Sequence, residues 1–183
     1  MDAPQNALNK ALALHGQGRF DEAIVEYQQI LARYPDDQTV AANLASALVR
    51  VGSLDDGLAM YEKLTSKNGQ QPELWFNYAN ALQRAGNLTK AQQTFERTLE
   101  ISPTFFPAAL NLANIVRNIG NSEVAVELYL RAIAINPQHP KPRVNLARLL
   151  RSQKRLVETR EVLEAALRTN SSNVETLYEQ ALL

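Results

Sequence analysis

Apolar residues stand at helical spacing along the chain. Leu44 and Leu48 share one helix face, and so do Ala91 and Phe95. No segment alternates apolar and polar residues with period two, so strands are not expected. The pattern predicts an all-α chain of about eleven helices, over residues 5–16, 19–33, 38–51, 54–67, 72–85, 88–101, 106–119, 122–135, 140–153, 156–169 and 173–183.

The interruptions are as regular as the helices. Asn9, Asn43, Asn77, Asn111 and Asn145 recur at an interval of 34 residues, a period that marks a stacked-repeat protein. Nine residues after the asparagine stands Gly18, Gly52, Gly86 or Gly120, and Lys154 in the fifth copy. A glycine there ends the first helix in a left-handed turn. Fourteen after the asparagine comes a small residue (Ala23, Gly57, Ala91, Ala125, then Thr159), where two helices touch. Eighteen after it is a large one (Tyr27, Tyr61, Phe95, Tyr129, Leu163). Pro35, Pro103 and Pro137 then stop the second helix. Each copy is therefore a helix–turn–helix unit. Asparagine is a poor helix former, ~0.6 kcal/mol worse than alanine. Its return at one helical position points to a shared surface role.

The third copy carries Trp75, Tyr78-Ala79, Leu82, Gly86, Ala91, Phe95 and Pro103. These residues and their spacing resemble the tetratricopeptide repeat family over nearly the whole chain. The resemblance implies a right-handed superhelical solenoid of antiparallel helix pairs, with the first helix of each pair lining an inner wall. Residues 1–183 then form a single array, with copies over 4–37, 38–71, 72–105, 106–139 and 140–173 and a terminal half-repeat helix over 174–183.

Some copies depart from the pattern. Gly57 occupies a helical position where alanine is usual, at a cost of about 1 kcal/mol relative to alanine. The connector Ser66 to Pro72 lacks the stop proline and predicts a looser joint between copies two and three. The fifth copy has neither turn glycine nor stop proline, which leaves its local geometry open. The chain ends Ala181-Leu182-Leu183. That ending fits a capping helix, and equally a fragment of a longer protein.

With the asparagine at place six, places two, five, nine, twelve and thirteen share its helix face. In the family this face lines the groove. It holds Phe76 and Leu110 at place five, Asn80, Asn114 and Arg148 at place nine, Arg117 and Arg151 at place twelve, and Arg50 and Arg84 at place thirteen. Charge sorts by helix as well. The first helices of copies two to five hold Arg50, Arg84, Arg117, Lys141, Arg143, Arg148 and Arg151 against one acid, Glu73. The second helices are slightly acidic. A wall of one sign attracts the opposite sign. Packed helices lie about 8–10 Å apart and an extended peptide rises about 3.3 Å per residue. One asparagine per copy therefore meets a bound chain about every third residue. Its carboxamide offers a donor and an acceptor, so it can pair with a backbone amide without reading the side chain. The alternative is that each asparagine ties neighbouring repeats or bonds its own helix backbone.

The ladder resembles the inner wall of the repeat arm in protein O-linked N-acetylglucosamine transferases. There matching asparagines grip the backbone of protein substrates. The residues that match are Asn43, Asn77, Asn111 and Asn145, with Asn9 at the frayed end. The family's clamp for C-terminal carboxylates fits poorly, because place five is apolar here and place six is asparagine.

Composition narrows the partner. Basic and acidic residues number 19 each, which argues against a general nucleic-acid binder. Cysteine is absent, and with it disulfides and thiol chemistry. No apolar run spans a membrane, and Met1 to Lys10 carries neither an apolar run nor a basic leader. Cytoplasmic residence is expected. His15 and His139 are the two histidines. They lie far apart in sequence, and surface roles are expected for both. No catalytic constellation, phosphate loop, metal-ligand spacing or cofactor motif is present. Three readings fit: a non-catalytic module binding an extended, acidic peptide or protein segment; a substrate-recognition arm of a larger enzyme such as a glycosyltransferase, continuing beyond Leu183; and a scaffold that self-associates through its last helix.

Overall fold

The structure is a computed structural model that describes residues 3–67 and 69–183. Met1 and Asp2 of the N-terminal segment and Asn68 of the proline-less connector lie outside the described residues. Among the described residues are eleven α-helices and no strand: α1 (Ala3–Gly16), α2 (Phe20–Arg33), α3 (Gln38–Val51), α4 (Leu54–Lys67), α5 (Pro72–Arg84), α6 (Leu88–Ile101), α7 (Phe106–Ile119), α8 (Ser122–Ile135), α9 (Pro140–Ser152), α10 (Leu156–Thr169) and α11 (Val174–Ala181). Every expected helix is present, with ends shifted by at most two residues. Pro72 and Pro140 open α5 and α9, where a missing N–H costs nothing. The Asp37 carboxylate caps α3 by accepting from Val40 N at 3.0 Å, and Asn173 caps α11 through Thr176 N at 2.9 Å.

The turn after each first helix is left-handed in all five copies. Gly86, for example, has φ 80°, and Lys154 takes the same region at φ 61°. Arg155 N still reaches Leu150 O at 3.0 Å, so the fifth turn closes without glycine. A side chain in this region costs about 1–2 kcal/mol, and the packing of α9 on α10 outweighs it.

The chain divides into two compact units, Met1–Thr94 and Phe95–Leu183, with the boundary inside α6. In the first unit α1 to α5 pack in succession, and α3 also touches α5. Its core gathers Ala11, Ala23, Tyr27, Ile30, Val40 and Leu44. In the second unit α7 to α11 pack in succession, with α9 touching both α7 and α11. Leu112, Ile115, Ala125, Tyr129, Leu146 and Leu163 are buried there. A large side chain of this kind stabilises by roughly 1.5–3 kcal/mol when fully buried. The recurrent small and large positions of the second helices thus supply the inter-helix contacts.

The helical cost of Gly57 has its reason across the helix interface. A Cβ there would lie 2.5 Å from Val49 Cγ2 and 2.9 Å from Ala45 O. The α3 backbone and β-branched Val49 occupy the space an alanine needs, so the glycine permits the contact. Trp75 Nε1 donates to Gly69 O at 3.1 Å, which ties the proline-less connector to α5. Copies two and three therefore meet through a hydrogen-bonded connector.

Candidate peptide-binding wall

In the first unit, α3 and α5 stand side by side with their asparagine faces on one wall. Between them lies a recess of about 590 Å³, lined by Ser46, Val49 and Arg50 of α3, Tyr61 of α4, and Asn77, Asn80, Ala81, Gln83 and Arg84 of α5. The repeat brings Arg50 and Arg84, which share place thirteen, to one cavity. No carboxylate lines it. Neither arginine forms an ion pair among the described residues, and both are exposed. The Arg50 guanidinium lies over the Phe20 ring, 5.1 Å from its centroid. A face so stacked leaves the N–H edge available. Asn77 is exposed and makes no side-chain hydrogen bond among the described residues. Asn80 and Phe76 are half-buried. Tyr61 forms a buried floor. Its hydroxyl donates to Ala42 O at 3.4 Å, and burial pushes its pKa up to about 12, so it stays neutral.

The other two ladder asparagines of this unit already have intramolecular bonds. Asn43 Nδ2 donates to Thr39 O of its own helix at 3.0 Å. Asn9 Oδ1 accepts from Gln5 Nε2 at 3.1 Å. A second crevice of about 420 Å³ lies among α2, α3 and α4, with Leu31, Met60 and Leu64 in its lining. Asp36, Asp37, Lys63 and Lys67 also line it. Its mixed charge selects neither sign.

In the second unit the same places are used internally. Asn145 Nδ2 donates to Asn114 Oδ1 at 2.9 Å, and the Tyr129 hydroxyl donates to the same oxygen at 2.7 Å. Arg148 Nε donates to Glu179 Oε1 at 2.6 Å, and Arg151 Nη2 to Glu179 Oε2 at 3.3 Å. Glu179 is 3 % exposed. Its burial excludes most water, so the two guanidiniums replace its solvation. Arg117 donates from Nε and Nη2 to Asn118 Oδ1. Asn111 is half-buried, and Leu110 lies in the core.

Glu179 is the residue that the sequence reading missed. It stands 34 residues after Asn145, so it is the sixth member of the ladder, written as an acid. Its bond to Arg148 repeats the register of Asn145 with Asn114, 31 residues apart in both cases. Extending the interval once more, into the terminal helix, was the available signal. The tyrosine hydroxyls were missed too. Size alone marks position eighteen after the asparagine in the sequence. Yet Tyr27, Tyr61 and Tyr129 each carry a hydroxyl to the first helix of their own copy, at His15, Ala42 and Asn114.

His139 sits in the surface role expected of it. Its Nδ1 accepts from Lys141 N at 3.3 Å as the α9 cap, and its ring lies 4.8 Å from Phe106. Among the described residues no group of His, Cys, Asp and Glu could hold a metal ion, and no helix is long and apolar enough to cross a membrane.

One tetratricopeptide repeat family model matches residues 14–75 and 48–115, and a second matches 108–174. The chain belongs to the tetratricopeptide repeat family, whose members are generally non-catalytic binding modules. No curated protein matches the chain. Solved structures share its fold. The MamA fragment from Desulfovibrio magneticus RS-1 is 14% identical with a TM-score of 0.81, covering 95% of this chain and 98% of that one. YrrB, a tetratricopeptide repeat protein with an unusual peptide-binding site, is 15% identical with a TM-score of 0.74 over 96% and 90%. TTC0263, a thermophilic tetratricopeptide repeat protein in Thermus thermophilus, is 21% identical with a TM-score of 0.70 over 98% of each chain. At these identities the likeness is one of fold.

Proposed function

We propose that this chain is a non-catalytic module that holds an extended, acidic peptide segment against the α3–α5 wall of its first unit. One observation carries the reading. Arg50 and Arg84 face a recess without a carboxylate, whereas Arg19, Arg97 and Arg155 each pair with a glutamate three residues on. Charge left uncompensated in a recess raises the local concentration of an anionic partner. Asn77 supplies a donor and an acceptor for the peptide backbone, and the two arginines select acidic side chains. Asn43 takes part through its remaining carboxamide oxygen. This is the asparagine-ladder mode of the glycosyltransferase repeat arm, reduced to one wall. The unusual peptide-binding site of YrrB, a protein of the same fold, supports it by analogy. The cysteine-free chain suits a reducing cytoplasm.

The test is fluorescence anisotropy with a labelled decapeptide of alternating serine and glutamate, against its serine–glutamine counterpart. Arg84→Ala weakens binding about tenfold, or ~1.4 kcal/mol, and Asn77→Ala several-fold, with helicity unchanged. Equal affinity for the two peptides would sink the reading.

A second role has its own observation. The exposed apolar residues of α11 include Val174 at 78% and Tyr178 at 61%. Self-association through this face predicts an oligomer by light scattering that Tyr178→Ser disperses. A monomeric parent chain discards it.

A further inference from the structure

A smaller recess of about 260 Å³ adjoins the wall, lined by His15, Gly16, Gly18, Phe20, Ser46 and Arg50. Ser46 and Arg50 line both cavities, so a chain lying along the wall reaches this one next. The ring of His15 meets Phe20 edge to face at 5.2 Å. Phe20 in turn carries the Arg50 guanidinium. One aromatic ring therefore positions a histidine from α1 and an arginine from α3. No carboxylate lines the recess. We propose that His15 and Arg50, on the Phe20 platform, form a carboxylate-capture site whose occupation draws a proton onto His15. This rests on the acidic-peptide reading above and adds both a new residue and a pH dependence to it.

The chemistry follows from the neighbours of His15. From α2 it faces Phe20 and the Tyr27 hydroxyl, whose oxygen lies 3.3 Å from His15 Nδ1. From α3 it faces Ser46 and Arg50. Lys10, Arg19, Glu22 and Glu26 gather in a separate recess. The charged and titratable groups facing the ring are thus Arg50 and Tyr27. Tyr27 stays neutral, since burial raises its pKa. Burial, and then the charge of Arg50, hold the imidazole below its ordinary value of 6.5, so the free protein keeps His15 neutral at pH 7. A carboxylate bound to Arg50 offsets the second of these causes and adds an attraction for the imidazolium. Both groups also lie in the last turn of their helices, where the carbonyl ends favour a cation. Tyr27 accommodates either state, donating to a neutral Nδ1 or accepting from a protonated one. The complex therefore holds more protons than the free partners. Its affinity rises as pH falls towards the range where His15 titrates. A carboxylate is also what this chain captures with two cationic side chains elsewhere, at Glu179.

The experiment uses the full chain and the alternating serine–glutamate decapeptide, with a free or an amidated C-terminus. Titration calorimetry near neutral pH in two buffers of different ionisation heat should show proton uptake. Affinity should be about three- to tenfold higher near pH 6 than near pH 8, since one unit of pKa shift corresponds to a factor of about ten. His15→Gln should bind with neither proton uptake nor this pH dependence. Arg50→Gln should lose about tenfold in affinity. Loss of proton uptake on amidation alone assigns the captured group to the chain terminus; retention assigns it to a glutamate side chain. In NMR, the His15 ring signal should titrate at higher pH with peptide present than without it. Peptide binding that depends on Arg84 but takes up no proton, or that His15→Gln leaves equally pH-dependent, overturns this site and spares the wall. No binding by the parent chain overturns both.

Discussion

The two units put their shared face to different uses. On the first, place thirteen puts Arg50 and Arg84 over a recess without acids, and place six leaves Asn77 open. On the second, place six carries Asn145 onto Asn114 and then Glu179 onto Arg148, while Arg151 at place twelve closes on the same carboxylate. A period aligns positions; it does not align their partners. Whether a wall residue faces a ligand or a neighbour depends on whether the next copy presents a complementary group within reach.

The sharpest way to break this comparison is Glu179→Ala. Removing one side of a buried ion pair costs about 3–5 kcal/mol. Because the arginine side chains keep 41% and 37% exposure, the expected loss is about 2 kcal/mol after solvent screening. Amide hydrogen exchange along α9 to α11 reads it. The freed Arg148 and Arg151 should then give the second unit a weak affinity for the glutamate decapeptide. Unchanged exchange would mean the clasp is incidental.

Gly57→Ala comes next. Overpacking costs roughly 1–3 kcal/mol and alanine returns about 1 kcal/mol of helix propensity, for a net loss of about 1 kcal/mol in urea melts. Adding Val49→Ala should recover part of it. At the equivalent place of the second unit Ala125 is fully buried, and Arg117 stands where Val49 does in the first. A stabilised single variant would disprove the close approach.

Smaller effects test the asparagines themselves. Asn145→Ala should cost about 1 kcal/mol, the net value of a hydrogen bond, without touching peptide affinity. Asn77→Ala should do the reverse, lowering affinity with stability within about 0.5 kcal/mol of the parent. The same outcome for both would erase the distinction between the units. Finally, Lys154→Gly should stabilise the second unit by about 0.5 kcal/mol. Relief of left-handed strain exceeds the added entropy of the unfolded chain. No gain would show that the lysine turn is unstrained.

Helix ends, turns and the small–large contact positions were legible because they are local. A first helix needs only its own apolar spacing, and its end needs only a residue that accepts positive φ. The Lys154 turn is the exception, because its sequence leaves the geometry open and the packing of α9 on α10 closes it left-handed. Gly57 was not legible, because its reason lies across the helix interface in Val49 and Ala45 O. Asn77, Arg50 and Arg84 were read as wall residues, and they line one recess. His15 stands on the shared face of α1 at place twelve, but nothing within α1 announces Phe20 and Arg50.

The sequence by itself determined the repeat length, the helix pairs and which face of each first helix is shared. Those properties depend on backbone propensity and spacing along one chain segment. The tertiary structure decided which of the shared positions remain open. That outcome is set by contacts between copies, over distances of about 3 Å for hydrogen bonds, to which a 34-residue interval is blind. The asparagine interval extends to Glu179, where the same place closes on two arginines instead of waiting for a partner.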